Sequence, residues 1–418
     1  MSVVRMPWER RLDDLAHILH ACSETYFDPE LFRRNTNQFL QTARTITFII
    51  QKNKSDIQNF DEWYQENVLD KWVGDDVMRW AKDSRNIIEK QGDLEFNSTL
   101  TVTLIFSYLE EDDLQMPVGE KELLTASVKR LVRFAQKYFP TRLTDVAGVK
   151  IERAWVTKSL EKREILSALE YVYARQYDCC EALAKHLNRE FYGNVHEQYS
   201  LGNKNEYFRQ VEMIKLKSMQ SCRISFGQIK RPPSSQVPDF VRGRASELKS
   251  MLGEAPHDYK SAVDYYSRMA EGTFKQWGNH LTVLYFLNPD WSIQQMINPM
   301  LIDQTDKYFF ARLIAEQIKV KKPHCLIHIT EAWTRDLKKY RPGLTMSKLP
   351  INGEFLQLAA VDVDGNKTIC TWRIVRELGD QIPMLDAQKI EDETDERIFF
   401  LVPAMRAMGV QPKFYQSD

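Results

Sequence analysis

The 418-residue sequence lacks the features that mark membrane, secreted and zinc-binding proteins. No segment approaches the ~20 consecutive apolar residues that a membrane-spanning helix requires. The N-terminus has no apolar segment followed by a signal cleavage site. The six cysteines show none of the two-residue spacings found in zinc or redox hairpins. We therefore predict a cytoplasmic, reduced protein that does not associate with membranes and holds no metal.

The sequence also lacks an excess of charge of either sign, because 57 Lys and Arg residues oppose 58 Asp and Glu residues. A global electrostatic field therefore selects no partner, and any nucleic-acid contact has to come from a local basic patch. Gly-rich phosphate loops, a serine elbow and an HExxH helix are absent as well. The sequence predicts no bound cofactor.

Helical periodicity dominates the first 95 residues. Apolar residues recur at helical spacing over residues 8–22. A second helix is predicted to begin at Asp28, which can accept hydrogen bonds from the free amides of the first turn, and at Pro29, which fits that turn. Two more helical stretches precede Gly92, so we predict a helical bundle over residues 1–95.

The sequence after residue 95 predicts both helices and strands. The run after Gly92 alternates in the manner of a strand or strand pair, and the rest of residues 96–226 is mainly helical. Residues 227–247 carry three prolines and two adjacent serines, which is typical of a surface linker.

Residues 248–418 combine helical and extended segments, and Asp364-Gly365 between two apolar runs predicts a β-hairpin over residues 354–375. The predicted fold class is α+β, with an N-terminal helical bundle, a helical middle region and a C-terminal mixed α/antiparallel β domain.

The end of the bundle carries a recognisable pattern. In "DDVMRWAKDSRNIIEKQGDLE", Arg85 and Asn86 are followed by Lys90 and a KQGD turn, and Arg85 can share one helix edge with Glu89 or Lys90. This arrangement resembles the HEPN family of small helical bundles. In that family an arginine, a polar residue and a histidine form a metal-independent ribonuclease site.

The sequence departs from the HEPN pattern at the histidine, where it has Lys90. An imidazole with a pKa of ~6.5 can take and give a proton near neutral pH, whereas an amine with a pKa of ~10.4 stays protonated. The resemblance implies an RNA-associated protein with weakened or absent ribonuclease activity. In such a site Arg85 would contact phosphate, Asn86 would orient it and Lys90 would add charge.

The resemblance also carries expectations about assembly and setting. HEPN bundles commonly pair, so it implies a homodimer formed through the N-terminal bundle with the Arg85 edge at the interface. It implies work on RNA in bacterial stress or phage defence. If the protein is an enzyme, the resemblance makes it a metal-independent ribonuclease.

A second group of basic residues lies in and beside the predicted linker. Its members are Lys230, Arg231, Arg242 and Arg244, which surround Phe226 and Phe240. Basic side chains with interleaved aromatics suit a single-stranded nucleic-acid backbone, so we predict a nucleic-acid contact there. A solvated linker is the alternative interpretation.

Two further hypotheses come from other functional classes. The bundle can serve assembly alone, in a structural or regulatory interaction protein without a substrate. Alternatively, His328 and Glu331 on a predicted strand can belong to an enzyme site. His17 and His20 have the spacing of two metal ligands on one helix, but the sequence supplies no clear remaining ligands.

Overall fold

The computed structural model describes residues 5–108, 114–119, 121–160, 163–191, 210–222, 224, 237–339, 349–376, 382–392 and 398–412. The chain divides into two compact units. The first comprises Met1–Leu104, Leu114–Pro140 and Val149–Ser221, and the second comprises Ile105–Asp113, Thr141–Gly148 and Cys222–Asp418. Helices dominate the N-terminal half and antiparallel strands the C-terminal region, which confirms the predicted α+β class.

The described helices are α1 (Pro7–Glu24), α2 (Pro29–Lys52), α3 (Phe60–Tyr64), α4 (Asp70–Trp72), α5 (Asp76–Lys90), α6 (Lys121–Leu124), α7 (Val128–Tyr138), α8 (Thr141–Thr144), α9 (Ile165–His186), α10 (Asp239–Leu252), α11 (Tyr259–Trp277), α12 (Gln304–Lys321) and α13 (Val402–Ala407). A π-helical segment, Gln65–Leu69, joins α3 to α4. The predicted start of α2 is confirmed, because Asp28 accepts a hydrogen bond from the Leu31 amide at 3.1 Å and Pro29 is the first helical residue.

The described strands are β1 (Asn97–Ile105), β2 (Leu114–Met116), β3 (Gly148–Val156), β4 (Gln210–Lys215), β5 (Val283–Leu287), β6 (Ile293–Ile297), β7 (Cys325–Arg335), β8 (Ile351–Asp362), β9 (Lys367–Val375), β10 (Met384–Leu385) and β11 (Lys389–Asp392). One sheet has the order β2-β1-β3-β4. The other runs β10-β9-β8-β7-β5-β6, and β11 also pairs with β9. No described helix combines the length and apolar composition needed to cross a membrane.

One hydrophobic core holds α1, α2, α5 and α9 together in the first unit. Leu12, Phe39 and Trp80 from the N-terminal helices pack in the same cluster as Leu169 and Val172 of α9. The core of the first unit therefore extends beyond residue 95. The bundle shares its interior with a helix assigned from sequence to the middle domain, because α9 buries apolar side chains around much of its circumference.

A buried polar network fastens α9 to this core. Tyr26 Oη donates to Glu164 Oε1 at 3.0 Å, and Trp155 Nε1 donates to the Tyr26 carbonyl at 2.8 Å. Glu164 also accepts from the Ser167 amide at 2.8 Å and so caps the first turn of α9. Burial raises the pKa of the Glu164 carboxyl to about 7.

In the second unit, strands β5, β7 and β8 bury both faces of a sheet. Odd-numbered residues of β7, such as Ile327, pack in one core with α11, whereas Leu326 packs in another with α12 and α13. The predicted hairpin is confirmed as β8 and β9, which pair antiparallel. Gly365 supplies the positive φ of the turn, and Asp362 accepts hydrogen bonds from the Asp364 and Asn366 amides at 3.1 and 2.9 Å.

The predicted linker, residues 227–247, is only partly covered. Residues 225–236 lie outside the described part of the chain, and residues 239–247 belong to α10, which begins at Asp239. Pro238 precedes the helix and Asp239 occupies its first turn, a favourable start that outweighed the single glycine at position 243.

The raised pKa of Glu164 predicts a stability that depends on pH. Its folded pKa lies above its unfolded value, so its stabilising contribution is full below about pH 4.5 and is lost as pH rises through about 7. Glu164→Gln keeps one oxygen, which can accept from the Ser167 amide, but the side chain cannot ionise. Its NH2 group can donate to Tyr26 Oη, which donates to the Arg153 carbonyl. We expect chemical denaturation between these pH values to show a smaller fall in unfolding free energy for the variant, by up to about 3 kcal/mol.

Burial also raises the pKa of Glu170 to about 7, so the dependence should decrease in the variant but not vanish. The prediction is contradicted if unfolding free energy depends on pH in the same way for the wild type and Glu164→Gln. That result would mean that the Glu164 carboxyl is not held protonated in the folded protein.

Candidate nucleic-acid interface

The predicted pair Arg85 and Asn86 lies on α5 at the edge of its buried face. The helix turns Trp80, Ala81 and Ser84 towards the core, so the next position, Arg85, is half-buried beside α2. Arg85 Nη1 donates to Asn86 Oδ1 at 3.2 Å, and its Nη2 forms an ion pair with Glu89 Oε1 at 2.6 Å. The structure therefore brings Arg85 and Asn86 together, with Glu89 as the acidic partner.

Lys90 is not brought to the same edge. Each helical residue advances the direction of its side chain by ~100°, so Glu89 lies about 40° and Lys90 about 140° around α5 from Arg85. Lys90 is the last residue of the helix and is exposed. Its ammonium has no hydrogen bond or ion pair with any residue that the structure describes. Of the two partners weighed for Arg85 from sequence, Glu89 is the one observed.

An exposed aromatic ring of α2 completes the edge. Phe48 is 42% exposed, and the guanidinium carbons of Arg44 and Arg85 lie 4.4 and 5.8 Å from its ring centroid. Both distances are within the range of cation–π attraction. Arg44 Nη1 also donates to Thr47 Oγ1 at 3.2 Å. Two guanidinium groups thus contact one ring that faces solvent.

Lysines extend this cluster on both helices. Lys52 stands one turn after Phe48 and lines a shallow open depression with Phe48, Ile49 and Gln51. Lys82 is exposed one turn before Arg85. Within the described ranges, neither lysine has an ion pair. We call Arg44, Phe48, Lys52, Lys82 and Arg85 the α2–α5 basic surface.

Arg44 and Phe48 were not predicted from the sequence, although the sequence carries a signal for them. The two residues are four apart in α2, and Phe48 lies outside the stripe of Phe39, Ala43, Ile46 and Ile50 that the helix buries. An aromatic residue on the solvent side of an amphipathic helix is a candidate contact residue. That α5 lies beside this ring follows from tertiary packing alone.

Two of the four basic residues predicted near the linker lie in the part of the chain that the structure describes. Lys230, Arg231 and Phe226 lie outside the described residues. Arg242 and Arg244 lie on α10 of the second unit, where Arg242 forms an ion pair with Asp239 and the Arg244 guanidinium lies 4.4 Å from the Trp277 ring centroid. These residues form a cluster of their own.

The structure rules out a joint site of His328 and Glu331. Side chains three residues apart on a strand point to opposite faces. His328 lies 5.2 Å from the ring of Phe400 in one core, and burial lowers its pKa to about 4. Glu331 instead accepts a hydrogen bond from the His280 amide at 2.6 Å.

The histidines of α1 also remain apart from other ligands. His17 and His20 are exposed. Among the described residues, no group of three or more His, Cys, Asp or Glu side chains is placed to hold a metal ion.

Comparison with known proteins finds relatives by sequence. No solved structure matches the chain significantly. Protein ea47 of Escherichia phage lambda is 40% identical over 412 residues, which cover 97% of this chain and 98% of that protein. The family model described as bacteriophage lambda protein ea47 matches residues 6–412 and so spans both units. The chain therefore belongs to the bacteriophage lambda ea47 protein family.

Proposed function

We propose that this protein binds single-stranded RNA through the α2–α5 basic surface, as a HEPN-like protein with weakened or absent ribonuclease activity. The observation that carries the proposal is the exposed ring of Phe48 beside the guanidinium groups of Arg44 and Arg85. Every unpaired base has a flat face that can stack on such a ring, and each phosphate is attracted by a neighbouring cation.

The exposed Phe48 ring suits a base of single-stranded RNA better than a base of duplex RNA. A base in a duplex is already stacked on its neighbours and offers no free face, whereas a base in a single strand can lie on an aromatic side chain. Arg44 has no carboxylate partner in the part of the chain that the structure describes. Arg85 is offset by Glu89, so Arg44, Lys52 and Lys82 supply the uncompensated positive charge.

The surroundings of Arg85 support binding without cleavage. Cleavage next to a ribose hydroxyl needs a group that exchanges a proton near neutral pH. The residue one turn after Arg85 is Glu89, which pairs with that guanidinium, and none of the five residues of the α2–α5 basic surface is a histidine. Lys90 lies on another side of the helix, about 140° around its axis from Arg85.

The proposal includes a cytoplasmic location, in the setting of bacterial stress or phage defence that the HEPN resemblance implies. Free cysteines support a reducing compartment, because Cys22, Cys179, Cys180, Cys325 and Cys370 are buried thiols. The relationship to a phage protein suits a role inside an infected bacterial cell.

The proposal also includes a homodimer formed through the N-terminal helices, with the Arg85 edge of α5 at its interface and the solvent-facing side of the Phe48 ring left open to a strand. Analytical ultracentrifugation of the wild-type chain should then give the mass of two chains. A wild-type protein that sediments as a strict monomer at micromolar concentration would contradict this part alone.

Binding is tested with a short fluorescent oligouridine and the full chain. Phe48→Ala should weaken the affinity about tenfold, because one base–aromatic stack is worth ~1–3 kcal/mol. Arg85→Ala should also weaken binding and should reduce the slope of log Kd against log salt by about 0.7. Fluorescence anisotropy across a salt series measures both effects.

The matched control is Arg79→Ala. Arg79 is an exposed arginine of the same helix that pairs with Asp76 and lies on another side of α5. Its loss removes equal charge without touching Phe48. Equal affinity of all three variants and the wild type would refute the proposed site, and an interaction protein without a nucleic-acid substrate would then be the better account.

Cleavage is tested separately, with wild type and Lys90→His incubated with mixed RNA without added metal. We expect no cleavage by either protein, because a histidine at position 90 would lie about 140° around α5 from Arg85. Denaturing gels of labelled RNA give the measurement. Metal-independent cleavage by purified wild type that Arg85→Ala abolishes would show that α5 carries an active ribonuclease site.

A further inference from the structure

The second unit exposes a cluster of two aromatic rings and an arginine where α10 meets the end of α11. Phe240 is 62% and Trp277 is 41% exposed, and their ring centroids lie 6.4 Å apart. The guanidinium carbon of Arg244 lies 4.4 Å from the Trp277 ring centroid. We call these three residues the α10–α11 cluster.

Reciprocal hydrogen bonds fix this cluster in place. Arg244 Nη1 donates to the carbonyl of Gln276 at 3.0 Å, and Gln276 Nε2 donates to the carbonyl of Arg244 at 3.0 Å. Below the cluster the two helices approach closely, since a Cβ at Gly272 would lie 2.6 Å from Leu248 Cδ1. The rings and the cation are therefore held on two packed helices.

The charge of Arg244 is not compensated locally. Neighbouring cations on these helices have acidic partners: Arg242 pairs with Asp239, Arg268 with Asp264 and Lys275 with Glu271. Across the described ranges, Arg244 has no carboxylate partner. A cation held over an exposed ring without a counter-charge is complementary to an anion attached to a flat, stackable group.

We infer that the α10–α11 cluster is a second single-strand contact, which stacks unpaired bases on Trp277 and Phe240 while Arg244 neutralises a phosphate. The inference rests on the proposed function and extends it to the second unit. The first unit repeats the same arrangement, because Arg44 also lies 4.4 Å from the centroid of an exposed ring. A nucleic-acid strand repeats base and phosphate along its length, so each cluster by itself suits such a strand.

Trp333 provides a matched control within the same unit. It is 61% exposed, but its Nε1 donates to Glu354 Oε1 at 3.2 Å. Glu354 is itself held by Arg376, whose Nε lies 2.6 Å from Glu354 Oε2, so no uncompensated cation of the described residues stands beside this ring. Trp333→Ala therefore removes an indole that is more exposed than Trp277 from a place where the inference expects no strand.

The experiment compares Trp277→Ala, Trp277→Phe and Trp333→Ala with wild-type full chain by fluorescence anisotropy on oligouridine. Trp277→Ala should raise Kd about tenfold, whereas Trp277→Phe should retain most of the affinity because it keeps a ring. Trp333→Ala should bind like the wild type. Arg244→Gln should lower the salt slope by about 0.7 and decides the matter if Trp277→Ala does not fold.

The outcomes separate this inference from the proposed function. If Phe48→Ala weakens binding but Trp277→Ala and Arg244→Gln bind like the wild type, the second contact is refuted and the first stands. If the two α10–α11 variants weaken binding and Phe48→Ala does not, the assignment to α2 and α5 is refuted. If Trp277→Ala weakens binding to a duplex as much as to a single strand, the stacking role is refuted and a contact with the RNA backbone replaces it.

Discussion

The packing of α5 against the core of the first unit is the constraint on which the candidate site depends. Trp80, Ala81 and Ser84 are buried, so α5 cannot rotate about its axis without exposing them. That fixed orientation places Arg85 beside the one exposed ring of the facing stretch of α2 and sends Lys90 to another side. Burial of the apolar face of α5 thus decides which charged side chains of this helix lie beside α2.

A protein with almost no net charge can still attract a polyanion if its cations are grouped. The two clusters described above group their cations in a similar way. Each holds an arginine over an exposed ring, so the cation is oriented before any ligand arrives and little side-chain freedom remains to be lost on binding. Elsewhere on α10 and α11, intrahelical ion pairs compensate the charges of Arg242, Arg268 and Lys275. These three cations therefore attract an anion less than Arg244 does.

Local chemistry made much of the fold predictable from the sequence. Asp28 and Pro29 mark the start of α2, and Asp364-Gly365 marks the turn between β8 and β9, because the necessary interactions lie within a few residues. The alternation of β7 was predictable for the same reason. The shared core of α1, α2, α5 and α9 was not, since it joins segments far apart in the chain whose mutual contacts leave no local signal.

The candidate site shows the same division. Arg85 and Asn86 were found because they are adjacent in sequence and one turn from Glu89. Phe48 was not found, because its proximity to Arg85 is created by helix packing, and Lys90 was misplaced because a spacing of five residues was treated as one helical edge. Arg244 was selected for its charge, whereas its contact with Trp277 depends on the fold of residues more than thirty positions away.

The most direct test of the central claim is to identify the peptide that an unpaired base contacts. Oligouridine that contains 4-thiouridine can be crosslinked to the wild-type chain by long-wavelength light, and the attached peptide can be identified by mass spectrometry. The account predicts a crosslink to the α2 peptide that contains Phe48, lost on competition with unlabelled single strand. Crosslinks confined to peptides outside the α2–α5 basic surface and the α10–α11 cluster, or none at all, would contradict it.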